Sequence, residues 1–377
     1  MVDWYNSSWT YRRKITISGQ NINGNHTDFP WAFVVSTLDA DLSSNAHSGG
    51  KDFVFTTSDG TTRTHCEIEN WLYGSGTVWV RAPVLSDGTN AVFYLYYGEG
   101  SDHTNDAGYK PSGVWDADFL MVHHLNDVTT STVLDSTTND RDGAKHGANS
   151  PVEVNGKVGK AQKFLASNGD YIVISDDLEV TSTDFTIECW ITTDTVASGY
   201  NPWVQKQNGD GTGRTMIERS TDDAHTSFGG SHDWRSNCFA TDTWYHVVMA
   251  YDDSGDDTTW YFNGKFDETQ SNIGAEAANG GWVLGGWKAP TASLNGKIDE
   301  MRISTIMRDA DWVKTSYSSM NSPSTFFFIG EEEENEPVAP SEVVELELYN
   351  DTSSYGREMY SGSDEYDLEM FNSPGGY

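Results

Sequence analysis

Cysteine is scarce in this 377-residue chain: Cys66, Cys189 and Cys238 are too few and too scattered for a disulfide framework or a zinc site, both of which need paired or closely spaced thiols. Basic residues are thin as well. Lys and Arg number 23 against 57 Asp and Glu, a formal charge of -34, so a nucleic-acid backbone or an anionic membrane surface would be repelled. Cations and neutral sugars remain as partners. No run approaches the roughly 18 apolar residues of a membrane span. Met1-Val2-Asp3-Trp4 lacks the basic and apolar segments of a secretory signal, so the expectation is a soluble chain, without membrane insertion, not exported by the ordinary route. Sequons at Asn6, Asn25 and Asn350 then carry little weight.

What is abundant is Gly, Thr, Ser, Asp, Trp, Tyr and Phe, with only 36% hydrophobic residues, which suits short strands with one face in water. The expected class is all-β. The length exceeds what one core usually supports, roughly 250 to 300 residues, and implies two domains and a tail. The acid is spread along the chain, although residues 331–377 hold 14 Asp/Glu against one Arg. Such an excess serves solubility in a salty medium or dedicated cation binding.

Short strand-like segments, Arg12 to Ile17, Ala32 to Ser36, Phe53 to Thr56, Val78 to Val84 and Ala91 to Tyr97, alternate with Gly/Asn/Asp/Ser turns and predict an antiparallel sandwich over residues 1–110. Residues 98–112 contain no apolar run and several breakers, which places a boundary there. A second strand-rich domain covers 113–330. In it Phe185, Ile187, Cys189 and Ile191 alternate with Thr186, Glu188 and Trp190, which puts the thiol on an apolar face. Acids at Asp309 and Asp311 before Trp312-Val313 predict a helix start. From 331 onward the run Glu331 to Glu334 and Pro337 and Pro340 read as a linker into an acidic tail. There Glu347, Glu358 and Glu369 recur every 11 residues, as do Tyr355, Tyr366 and Tyr377. Either a small β-meander or an extended segment that orders against a partner fits this repeat.

Two family resemblances follow from particular strings. Trp9-Thr10-Tyr11-Arg12-Arg13-Lys14-Ile15, Phe53-Val54-Phe55-Thr56, Glu67-Ile68-Glu69-Asn70-Trp71, Val78-Trp79-Val80-Arg81-Ala82-Pro83 and Tyr94-Leu95-Tyr96-Tyr97-Gly98 resemble an uncharacterised domain family. That family is often found before lectin-like jelly rolls in bacterial, archaeal and phage surface proteins, and it implies no activity. Beyond it, His123-His124-Leu125, the loop Leu134 to Gly143, Gly156-Lys157-Val158-Gly159, Phe185-Thr186-Ile187-Glu188-Cys189-Trp190, Trp244-Tyr245-His246 and Ile298-Asp299-Glu300-Met301-Arg302-Ile303 resemble the LamG-like, concanavalin A-type jelly roll. The expected architecture is thus two consecutive antiparallel β-sandwiches, the second a jelly roll, followed by an acidic repetitive tail.

The loop from Asp135 to Gly143 concentrates hard oxygen donors, as calcium requires. The resemblance implies a structural Ca2+ held by Asp135, with Asp142, and by Asp299 on a core strand; an acidic turn beside a strand is the alternative. Asn208 to Gly213 resembles half a calcium loop but lacks the distal Glu, which favours a hairpin turn. Tyr200, Trp203, His232, Trp234 and Trp287 sit in Gly/Asn/Ser-rich segments, and exposed rings there would stack on pyranose faces. His123 and His124 point to opposite faces of a strand and cannot share one ion. The one Glu-x-Asp-x-Glu string, Glu365 to Glu369, which paired carboxylates would need for glycoside cleavage, lies in the tail and follows the repeat. The expectation is a non-catalytic glycan-binding or adhesion protein, on a virion or otherwise extracellular, tethered to other subunits of a surface assembly through residues 331–377. A decoration or filament subunit without a sugar site is the first rival, and a polysaccharide-cleaving enzyme the second.

Overall fold

A computed structural model describes residues 2–106, 110–128, 131–148, 151–174, 183–195, 200–207, 214–220, 223–228, 231–235, 240–271, 281–286 and 293–335. Cys238, Trp287, the loop 208–213 and the 11-residue repeats lie outside them.

The first sandwich contains β1 (Tyr11–Ile17), β2 (His26–Val35), β3 (Val54–Thr56), β4 (Arg63–Thr64), β5 (Cys66–Leu72), β6 (Ser75–Leu85) and β7 (Ala91–Tyr97). The jelly roll adds β8 (Phe119–His123), β9 (Thr132–Val133), β10 (Gly143–His146), β11 (Val152–Asn155), β12 (Lys160–Phe164), β13 (Tyr171–Ile174), β14 (Phe185–Thr193) and β15 (Tyr200–Gln207). It continues with β16 (Arg214–Ser220), β17 (Asp223–Phe228), β18 (Ser231–Arg235), β19 (Tyr245–Asp252), β20 (Asp257–Phe262), β21 (Lys265–Gln270), β22 (Trp282–Leu284) and β23 (Gly296–Ser304). One of its sheets runs β18-β17-β16-β15-β22-β13-β10-β9 and the other β11-β12-β23-β14-β19-β20-β21, with β8 added to β23. The expected helix is Ala310–Asn321, started by Asp309, whose side chain accepts from the Trp312 amide at 2.8 Å.

The chain then returns to its beginning. β24 (Phe327–Glu334) pairs antiparallel with β1, giving the order β24-β1-β7-β3-β4 opposite the β2-β6-β5 sheet. This corrects the boundaries read from sequence: Glu331 to Glu334 are a strand, not a linker, and the first sandwich is completed by residues 327–334. Two of the four charges that suggested a solvated run are matched. Glu333 pairs with Arg12 at 2.8 Å, and Glu332 accepts from the Tyr97 hydroxyl at 2.7 Å and the Asn45 amide at 2.9 Å. The core of the first sandwich also extends into the seam with the jelly roll, which keeps a core of its own. One cluster joins Ile15, Trp31 and Phe55 with Trp115, Phe119, Trp190 and Trp312.

β14 shows how the layers stack. Phe185, Ile187, Cys189 and Ile191 fill the jelly-roll core, as the alternation predicts, and burial pushes the Cys189 thiol up. The other face is buried too. Trp190 joins the shared cluster, and Glu188 accepts from Ser316 of the helix at 2.6 Å and contacts His246 Nε2 at 2.8 Å, with Arg302 Nη1 3.9 Å away. Burial would raise the Glu188 pKa, but the His246 hydrogen bond and the Arg302 charge outweigh it and hold it at about 2. A depressed carboxyl contributes stability above its unfolded value, near 4.5, that is lost as pH falls toward 2. Acid titration of unfolding is therefore expected to show a wild-type loss that Glu188→Gln lacks, at most roughly 3 kcal/mol. Superimposable acid limbs would contradict the assignment.

Candidate functional site

Two regions gather chemistry-bearing residues. The first is the sheet end formed by β15 to β18. In its antiparallel register Trp234 stands opposite His225, His225 opposite Glu218 and Glu218 opposite Pro202; the next row of the same parity is His232, Ser227, Met216 and Gln205. A third row joins Tyr200, Ser220 and Asp223. The intervening row contains Ile217 opposite Val204, a residue of the core, so these three rows belong to the sheet's other face. Tyr200, His232 and Trp234, expected in loops, occupy strands whose register aligns them in rows of one parity. Trp203 is a correction. A bulge between Pro202 and Val204 turns it into the core, where it is 1% exposed and presents no ring to a ligand.

The acidic loop does not fit calcium. Asp135 Oδ1 accepts from the Val122 and Thr137 amides at 2.9 and 3.0 Å, and Oδ2 from Thr137 Oγ1 and the Arg141 amide at 2.8 and 2.9 Å. All its acceptor capacity is engaged in shaping the turn. Asp142 Oδ1 accepts from the Asp135 amide at 2.9 Å. Asp299 is buried elsewhere, with Oδ2 accepting from Lys157 and Val158 at 2.7 and 2.9 Å. The three carboxylates do not form a group with ligand atoms within 4.8 Å of one another. Those amide and hydroxyl donors do for the loop what the resemblance implied a cation would do.

The second region is the seam between the two sandwiches, which the sequence reading missed. Glu67 and Glu69 are both buried on β5, either side of the less buried Ile68, with a register shift against β6 at Glu69. From the jelly roll, His124 follows β8, and Glu300 and Arg302 alternate on β23. His123 and His124 do diverge as expected: His123 Nε2 meets the Arg141 carbonyl at 2.8 Å, whereas His124 Nδ1 meets Glu300 Oε1 at 2.9 Å and its Nε2 lies 3.3 Å from Glu67 Oε2. Arg302 donates to Glu300 Oε2 at 2.7 Å and stacks over Trp79 and Trp115, 4.4 and 5.0 Å from the ring centres. The Trp115 and Trp79 indoles donate to Glu67 at 2.8 Å and Glu69 at 3.0 Å, and Ser136 donates to Glu67 at 2.6 Å.

Opposed fields set the protonation here. Burial would lower the His124 pKa, but Glu300 and Glu67 hold it well above the usual histidine value. Burial would raise Glu300, but His124 and Arg302 hold it down. Glu69 is pushed up to about 8 by burial and the Glu300 charge, and Asp299 is raised well above its ordinary value by burial, Glu300 and Glu69. The seam is closed to solvent, with His124 3% and Glu300 0% exposed, so the cluster can hold an ion or a proton but cannot admit a sugar. The acids of Glu67-Ile68-Glu69 and Asp299-Glu300 within otherwise apolar strands were its sequence signal.

Residues 166–314 match the sequence model of the concanavalin A-like lectin/glucanases superfamily. No curated protein sequence matches the chain. Among solved structures, the botulinum neurotoxin serotype D binding domain aligns at 12% identity and TM-score 0.42 over 53% of this chain and 51% of its own. Domain 4 of an extracellular arabinanase from Geobacillus stearothermophilus, in complex with arabinotriose, aligns at 18% identity and TM-score 0.39, covering 54% of this chain and 100% of that one. Trypanosoma rangeli sialidase, in complex with the inhibitor DANA, aligns at 14% and 0.44 over 62% and 41%. The aligned part thus spans about half the length of the neurotoxin domain. The antiparallel sheets and the sequence match over residues 166–314 together identify that part of the chain as a concanavalin A-like jelly-roll domain.

Proposed function

We propose that the protein binds carbohydrate through the β15 to β18 face without cleaving it. The observation that carries this is the rows Tyr200–Ser220–Asp223, Glu218–His225–Trp234 and Ser227–His232, whose residue types interleave rings with hydroxyl, carboxylate and imidazole groups on a sheet of a lectin-type fold. Rings cover the apolar C–H face of a pyranose and the polar groups take its hydroxyls. Four strands spaced about 4.8 Å apart span about 14 Å, enough for a short oligosaccharide rather than a monosaccharide. Cleavage is not proposed: Glu188, Asp299 and Glu300, the carboxylates of the central strands β14 and β23, are buried and engaged, not poised as an open acid and nucleophile pair.

A glycan array followed by calorimetry tests this. Trp234→Ala is expected to weaken binding about tenfold, the equivalent of about 1.4 kcal/mol for one stacked ring. Absence of binding to any glycan, or an unchanged affinity in Trp234→Ala and His232→Ala, would remove the reading. Display on a virion or cell surface belongs to the same proposal: the 11-residue acidic-aromatic repeats after residue 335 suit an extended segment that recognises another subunit of an assembly. A decoration subunit without a sugar site is favoured if tail-dependent retention on particles occurs without glycan binding.

A further inference from the structure

We infer that the seam between the sandwiches is a metal site, in which Glu69, His124 and Glu300 bind one divalent first-row transition ion and lock the two halves together. Among the described residues these three are the one group of His, Cys, Asp or Glu whose ligand atoms all lie within 4.8 Å of one another. A buried metal ligand needs a partner on its far side to fix its orientation and charge. Each of the three has one: Glu67 beyond His124, the Trp79 indole on Glu69, and Arg302 on Glu300 Oε2. Glu67 is itself held by Trp115 and Ser136, so the histidine stands before a fixed carboxylate, an arrangement that directs Nδ1 toward an ion.

The backbone is shaped for the same point. Leu125, next to His124, and Glu300 adopt φ of +60° and +49°, left-handed values unfavourable for residues with side chains. At Glu300 this coincides with a register shift between β23 and β14, which interrupts the in-and-out alternation of the strand. Asp299 is consequently buried beside its neighbour in electrostatic contact with Glu69 and Glu300, and its Oδ1 has no hydrogen-bond partner. From the other side the turn 156–159 closes the cluster, with Lys157 and Val158 amides on Asp299 and the Lys160 amide on Glu69 Oε1 at 3.2 Å. Glycine at 156 and 159 is what permits this approach, because a Cβ would collide with Asp299 at the first and with Glu69 at the second.

The donor set gives the motive. Glu67, Glu69, Asp299 and Glu300 meet His124 and Arg302 in a region closed to water. Carboxylate and imidazole donors of this kind suit a dication, whereas an anion or a sugar finds no match there. One imidazole nitrogen with carboxylate oxygens and no thiolate suits zinc or manganese, and is too poor in oxygen ligands for calcium.

Elemental analysis of the full chain, purified without chelator or histidine tag, tests this. About one equivalent of transition metal is expected. After EDTA treatment, zinc at a hundredfold excess over its Kd is expected to raise the melting temperature by about 4 °C. Glu69→Gln is expected to lose the bound metal and the zinc-dependent shift. If that variant does not fold, cobalt substitution of the stripped wild type decides instead, visible d–d bands supporting the site. Metal-free protein with no zinc shift and no cobalt bands, or full stoichiometry in Glu69→Gln, would overturn the assignment. None of these measurements involves glycan, so sugar binding stands or falls separately.

Discussion

Arg302→Met destabilises the protein by about 3–5 kcal/mol, read as a lower urea midpoint. Arg302 is 2% exposed and lies between two buried carboxylates, Glu300 at 2.7 Å and Glu188 at 3.9 Å. Methionine fills much of the same volume, so the loss is electrostatic: both acids remain buried with less countercharge, a larger penalty than the intact pair returned on burial. Arg302→Lys recovers only part of it, since an ammonium keeps the charge but neither forks between two carboxylates nor lies flat on Trp79 and Trp115. A change below about 1 kcal/mol in Arg302→Met would mean that water reaches the seam.

A chain ending at Phe326 is expected to be less stable than one ending at Asn335 by more than about 5 kcal/mol, with the loss centred on the first sandwich. The nine residues between them supply Phe327, which is 5% exposed and packs on Trp31 and Phe33 with ring centres 5.6 and 5.2 Å away. Emptying such a site costs about 3–5 kcal/mol by itself. They also supply Glu333, the partner of an Arg12 that is only 6% exposed, and the strand that covers β1. Equal melting temperatures for the two chains, measured by calorimetry, would show that β24 is dispensable.

Local regularities were readable before the structure. Alternation on β14 put Cys189 inward and Trp190 outward, Asp309 announced the helix, and adjacent histidines were assigned to opposite faces; each follows from strand or helix geometry over a few residues. Misreadings arose where one residue breaks that geometry or a distant segment changes its meaning. The bulge at Trp203 moved a ring from the expected surface to the core, and saturation of Asp135 by backbone donors depended on how its turn closes. Glu331 to Glu334 resembled a solvated linker because a run of like charge gives no hint of Arg12, more than 300 residues away, waiting to pair with it.

The sequence by itself determined the all-β class, through composition and strand alternation, and the lectin-type jelly roll, through its resemblance to that family, because these signals act locally or in sum. Tertiary structure alone decided that the last described strand completes the first sandwich, that one hydrophobic cluster bridges the two sandwiches, and that Glu69, His124 and Glu300 converge. Those facts depend on which segments meet after folding, and burial turns scattered acids that would be unremarkable in water into a cluster whose charge must be answered.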